Sequence, residues 1–233
     1  PGPRRVAAEV LAPLLAYQGR AREARKVFQA AATLNAGQQY DAWDANAMSL
    51  LSLAGADQRA ARRFLAEGTM PLPGTDLLAD QRAWLVAWLG DAEQARLRAQ
   101  GLAPGSLSER LYAAVKALES GLHAEAIGIL IDVSRRSSAV EPQFLLGWAL
   151  ARAGRHAEAY QAFDAVAGLH PVYAPIALYV FQPWAEVLAA EELVHLGRGA
   201  EARARLARWL ARWSEADPGL PLVEQARRIE RTL

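Results

Sequence analysis

The chain has 233 residues, 52% of them hydrophobic, and a net charge of +1. It can therefore bury a substantial core, and it lacks the charge excess that drives binding to nucleic acid or anionic lipid. It contains no cysteine, which excludes disulfides, thiolate chemistry and Cys-based zinc sites. No run of 18 uncharged apolar residues occurs, so no membrane span is expected. The basic residues are 24 arginines and only two lysines, Lys26 and Lys116. With the abundant alanine, this usage suggests a GC-rich bacterial genome. The opening Pro1-Gly2-Pro3 reads as a processed chain or a piece of a larger protein. A cytoplasmic place is expected, with a periplasmic or extracellular one left open.

Helical periodicity runs through the sequence and no segment reads as a strand. Residues 4–18 predict a first helix with Val6, Val10, Leu14 and Tyr17 on one stripe. After Gly19-Arg20, residues 21–34 predict its partner, buried through Ala24, Val27, Phe28, Ala31 and Leu34. Residues 39–54 and 57–67 form the second pair, broken at Gly55. Pro71-Leu72-Pro73-Gly74 forbids regular helix. The third pair is 75–89 and 91–100, its second helix short and without a large aromatic residue. Leu102-Ala103-Pro104-Gly105 breaks the chain again, and Ser106 or Ser108 can cap the next helix, with Glu109 three after Ser106 as a capping box. The fourth pair is 107–120 and 123–136, and the fifth is 141–153 and 156–169, closed by Pro171. In the sixth, residues 173–196 exceed what the period needs, and Pro175 and Pro183 are expected to divide them. Its partner is 199–214, and Asp217-Pro218-Gly219 leads into a polar closing helix at about 221–232. The whole chain, 1–233, reads as one array, with weak sub-boundaries near 71–74 and 102–106.

Gly121-Leu122-His123-Ala124-Glu125-Ala126 recurs 33 residues later as Gly154-Arg155-His156-Ala157-Glu158-Ala159. The turn glycines Gly19, Gly55, Gly90, Gly121, Gly154 and Gly197 lie 36, 35, 31, 33 and 43 residues apart. Such a period marks a stacked array of helix pairs. In the fifth pair, Leu146-Gly147, Leu150, Gly154, Ala159, Phe163, Val166 and Pro171 resemble the tetratricopeptide repeat at its own spacing. Small Gly147 and Ala159 let the two helices approach, Gly154 opens the turn, and Phe163 fills the space toward the next pair. The other pairs are degenerate: Met48 stands where Gly147 does, and Ala99 where Phe163 does. The resemblance implies an all-α, right-handed solenoid of about six helix pairs plus a C-terminal capping helix. It is specific for fold and says little of function, because this scaffold hosts many ligands. A narrower resemblance covers Leu206-Ala207-Arg208-Trp209-Leu210, Trp213, Ala216-Asp217-Pro218-Gly219-Leu220-Pro221 and Ala226-Arg227. It is similar to the tail of bacterial multidomain signalling proteins in which such an array follows a serine/threonine kinase or another regulatory domain. No Gly-rich phosphate loop and no catalytic-loop Asp with its Asn occurs in the chain.

In the family, the first helix of each pair lines the concave surface. Counting back from the turn glycines selects Pro13 and Tyr17; Ser49, Ser52 and Leu53; Trp84 and Trp88; Leu111, Val115 and Glu119; Phe144, Trp148 and Arg152; and Trp184, Val187, Glu191 and His195. Four of the seven tryptophans fall on these offsets. The partner-binding candidates are Tyr17, Trp84, Trp88, Phe144, Trp148, Arg152, Trp184, Glu191 and His195. They would form an aromatic groove for an extended or helical peptide segment, with charge at Arg152, Glu191 and His195. The alternative is that these rings pack between neighbouring pairs. The stretch Tyr173, Pro175, Tyr179, Phe181, Pro183 and Trp184 is expected to plug the concave face or to join the site.

No catalytic constellation, cofactor motif or metal-ligand spacing is found. His123 and His156 are read as exposed first-turn residues, and Glu125 and Glu158 as helix-dipole partners. Arg198, Arg203, Arg205, Arg208 and Arg212 read as a solvated face rather than a phosphate site. The expected function is non-catalytic: a protein-interaction, sensor or scaffold module of a bacterial regulator, binding a protein or peptide segment, with no nucleic acid and no cofactor. A permanent assembly subunit and a small-molecule sensor with a Trp-lined interior are the alternatives.

Overall fold

The computed structural model describes residues 3–33, 42–67, 80–169 and 176–233. Among them lie thirteen α-helices: α1 (Pro3–Tyr17), α2 (Ala21–Thr33), α3 (Ala42–Ala54), α4 (Gln58–Glu67), α5 (Asp80–Trp88), α6 (Ala92–Ala99), α7 (Leu107–Glu119), α8 (His123–Arg136), α9 (Val140–Arg152), α10 (His156–Ala167), α11 (Ile176–His195), α12 (Gly199–Arg212) and α13 (Pro221–Arg231). The expected bounds agree to within a few residues. Leu34, the segment 71–74, Pro171, Tyr173 and Pro175 lie outside the described residues.

Each helix of odd number from α1 to α11 packs on the one that follows it. The turns between them carry a residue in the left-handed region, which glycine enters without a Cβ penalty. Gly19, Gly90, Gly121, Gly154 and Gly197 have φ between 71° and 79°. In the second pair the left-handed residue is Ala56 (φ 56°), one position after the glycine expected there. Half of the expected capping box forms: the Glu109 N–H donates to Ser106 Oγ at 3.2 Å, while the Glu109 carboxylate accepts from the Gly105 N–H at 3.1 Å, one residue before the N-cap, whose own N–H goes to the Ala103 carbonyl. Asp57 caps α4 by accepting from the Ala60 N–H at 3.0 Å, and it also accepts from Arg25 at 2.7 Å. These two bonds hold its carboxyl below the usual range, against burial.

One stripe and one helix break depart from the sequence reading. Val6, Val10 and Leu14 are 49%, 59% and 42% exposed, and the buried face of α1 is Ala8, Ala12, Leu15 and Ala16. Three alanines let α1 lie close against α2, α3 and α11, and the bulkier stripe turns outward. The second departure is α11, which runs unbroken through Pro183. The ring removes one backbone donor, but α11 packs against α1, α3, α9, α10, α12 and α13, and this burial outweighs the lost bond. Gln182 adds a tie by donating to the carbonyls of Ala167 and Leu169, both at 2.8 Å.

The contacts of α11 with α1 and α3 bring the end of the array back to its beginning. A seam is sealed there. The Asp217 N–H donates to the Gly19 carbonyl at 3.0 Å, and Asp217 Oδ2 accepts from the Arg22 N–H at 2.8 Å. Arg212 pairs with Glu186 at 2.6 Å and lies 4.9 Å over the Tyr17 ring. One apolar core runs from α1 to α11, and a second joins α11, α12 and α13 through Leu193, Leu206, Trp209, Trp213 and Val223.

Candidate functional site

The inward-offset aromatics come together. Phe181 of α11 is fully buried, with Phe144 at 4.7 Å, Trp88 at 5.8 Å and Trp84 at 6.1 Å between ring centroids. Trp84 and Phe144 are each 1% exposed. These two are core residues and cannot meet a partner, which corrects their place among the binding candidates. The physical reason is closure: α11 returns across the inner face and Phe181 plugs it. Pro13, Ser49, Ser52, Leu53, Leu111, Val115 and Val187 are buried as well.

Three indoles at the edge of this cluster stay half-buried. Trp88 touches Trp184 at 5.7 Å and Trp148 at 6.3 Å, both edge to face. The exposed Arg152 guanidinium lies 5.1 Å over the Trp148 ring. Trp184, Trp88 and Trp148 thus form a strip contributed by α11, α5 and α9, ending at a cation.

At the Trp184 end lies a cavity of about 270 Å3, lined by Leu53, Ala54, Ala56, Gln58, Trp184, Leu220, Pro221, Leu222 and Gln225. One wall is the α3–α4 turn, and the other is α11 with the start of α13, so the cavity spans the seam. Gln225 Nε2 donates to Glu191 Oε2 at 2.8 Å. Glu191 therefore stands behind this cavity as the support of its amide. The cavity depends on residues 53–58 and 220–225 meeting across the fold, and the local sequence carries no signal of that meeting.

Tyr17 lies on the far side of the seam, half-buried, with the Tyr179 ring at 6.3 Å. Burial raises its pKa, the neighbouring Glu186 charge and hydrogen bond add to this, and Arg212 opposes it. The exposed His195 stacks on His156 at 4.3 Å, away from the indole strip. His156 is half-buried and its Nδ1 lies 2.7 Å from Glu192, so it is not the free first-turn residue expected. Its partner lies 36 residues away, beyond the reach of local sequence. Of the five arginines singled out at this helix, three are paired: Arg198, the residue before α12, with Glu201, Arg205 with Asp164 and Arg212 with Glu186. Among the described residues, no three His, Asp or Glu side chains group as a metal site, and no helix is long and apolar enough to cross a membrane.

No family model and no curated protein matches the chain. Among solved structures it is similar to MamA AMB-1, with 17% sequence identity, a TM-score of 0.41, and coverage of 94% of this chain and 97% of that one.

Proposed function

We propose that the chain is a non-catalytic interaction module of the tetratricopeptide kind, which holds a partner segment along Trp184, Trp88 and Trp148 with an acidic group of the partner at Arg152. The observation that carries this reading is the continuous strip of half-buried indoles leading from a cavity to an exposed guanidinium. Tryptophan and arginine are the residue types that anchor interfaces, because they bury large rigid area and keep a polar contact. The partner is a protein or peptide. The pairing of Arg198, Arg205 and Arg212 with carboxylates weakens the case for a phosphate-backbone ligand on this face. A role within a bacterial regulatory protein rests on the resemblance of the tail, residues 206–227.

Selection of peptides against the whole chain tests the proposal. Enriched peptides should carry apolar residues followed by an acidic one. Arg152→Glu should weaken their binding about tenfold, roughly 1.4 kcal/mol. Because Arg152 is exposed, the variant should lose only the ring contact and the favourable charge at the end of α9, about 1–2 kcal/mol of stability, and stay folded. Binding untouched by both Arg152→Glu and Trp148→Ala would remove the strip from the site.

A further inference from the structure

We infer that the cavity across the seam is a ligand site for a neutral, bicyclic-sized aromatic group bearing an N–H donor. The inference deepens the proposed function by naming what the Trp184 end of the strip accepts. Size comes first. An apolar cavity of roughly 150 Å3 holds benzene, and drug-sized ligands occupy roughly 300–1,000 Å3. About 270 Å3 therefore suits one fused ring system or one large side chain.

Charge comes next. Six of the nine lining residues are Leu, Ala or Pro, one is Trp184, and the two polar ones are the neutral amides of Gln58 and Gln225. No charged side chain lines the cavity, and the Glu191 carboxylate behind it is engaged by Gln225, so an anion is repelled and a neutral group fits better than an ion left without a direct partner. Glu191 binds an amide hydrogen of Gln225, fixing that amide and leaving its carbonyl oxygen as an acceptor. An amide held in this way favours a ligand with a hydrogen-bond donor, such as an N–H, over one without.

The third observation is Ala56. Five other turns between paired helices place glycine in the left-handed region, and this one places alanine there. The residue is strained, and it lines the cavity. Strain kept at a cavity wall is the usual mark of a site where shape outweighs stability. Because residues 53–58 and 184–225 supply opposite walls, an occupant bridges the seam and holds it shut.

The test is calorimetric titration of the whole chain with indole and with N-methylindole, which lacks the donor. Indole should bind saturably at one site, about fivefold more tightly than N-methylindole, and should raise the melting temperature. Leu222→Trp should fill the cavity and abolish binding. Ala56→Gly should raise the melting temperature of the free protein and weaken indole at least threefold, a pairing that a purely structural role would not give. Should Leu222→Trp fail to fold, Gln225→Leu serves in its place by erasing the preference for indole over N-methylindole. Displacement of indole by a tryptophan-bearing peptide assigns the group to a partner's side chain, and retention assigns it to a free molecule. Non-saturable binding, or equal binding by wild type, Ala56→Gly and the cavity variant, overturns the inference. Arg152-dependent peptide binding without indole binding would sink this inference and leave the proposed function standing; indole binding without any peptide would do the reverse.

Discussion

Glu141, in the first turn of α9, is buried, and burial raises its pKa above the ordinary 4.5, only partly offset by the Val140 and Glu141 backbone N–H groups. The folded chain thus holds this proton more tightly than the unfolded chain does. As pH rises past 4.5 the unfolded state loses its proton first, and stability falls. Glu141→Gln keeps the acceptor and cannot ionise. It should stabilise the protein by about 1 kcal/mol at neutral pH, with the gain vanishing below pH 4.5. Urea unfolding on either side of that value checks it, and a gain independent of pH would mean that charge is not the cause. Single-residue features were legible wherever the partner lies within one helical turn. Ser106 and Glu109 announced the half of their box that forms, and Glu158 its helix start. The bond of His156 to Glu192 and the burial of Glu141 were not legible, because both depend on helices distant in sequence.

Between helices, size complementarity decides the geometry. A Cβ built at Gly147 would stand 2.7 Å from the Phe163 ring, so α9 and α10 approach as small Gly147 implied, with Phe163 packed against its own pair's first helix, where the pattern pointed it toward the next pair. Alanine is the better helix former by about 1 kcal/mol, yet Gly147→Ala should destabilise by about 1–3 kcal/mol through overpacking. Trimming the ring in Gly147→Ala/Phe163→Leu should recover part of the loss, since residues in contact do not add independently. Thermal unfolding of the single and double variants measures this. Helix bounds were readable from glycine, proline and the 3.6-residue period. Which face is buried was readable only when bulky residues did the burying. In α1 the alanines do, so the conspicuous stripe Val6, Val10 and Leu14 pointed to the wrong side. Pro183 misled in the opposite way, because a local rule for breaking helices yields when the helix is packed on all sides.

At the scale of the molecule, the seam between Gly19 and Asp217 decides what the inner face can be. Gly19 has φ 77°, and a Cβ there would lie 2.6 Å from the Trp213 ring, whereas Gly154 has φ 72° and open space around it. Gly154→Ala should cost about 1–2 kcal/mol of backbone strain and leave the shape unchanged. Gly19→Ala should cost more and raise the radius of gyration in small-angle scattering, as α1 and α2 part from Trp213. Equal behaviour of the two variants would show that the seam does not hold the ends. The candidate site was half legible for this reason. The period put Trp88, Trp148 and Trp184 at equivalent offsets, and their rings do meet, but the count assumed an open concavity. The burial of Trp84 and Phe144 follows the alternative reading, in which the rings pack together, but nothing near residue 19 signals its bond to residue 217, so the existence of the cavity stayed hidden. The same bond restricts how such a chain can change over generations. An open stack of helix pairs lengthens by duplicating a unit, since each unit touches only its neighbours. Here a duplicated pair would carry Gly19 out of reach of Asp217. Closure therefore fixes the number of units, and variation is left to the faces of the helices and the lengths of their connections.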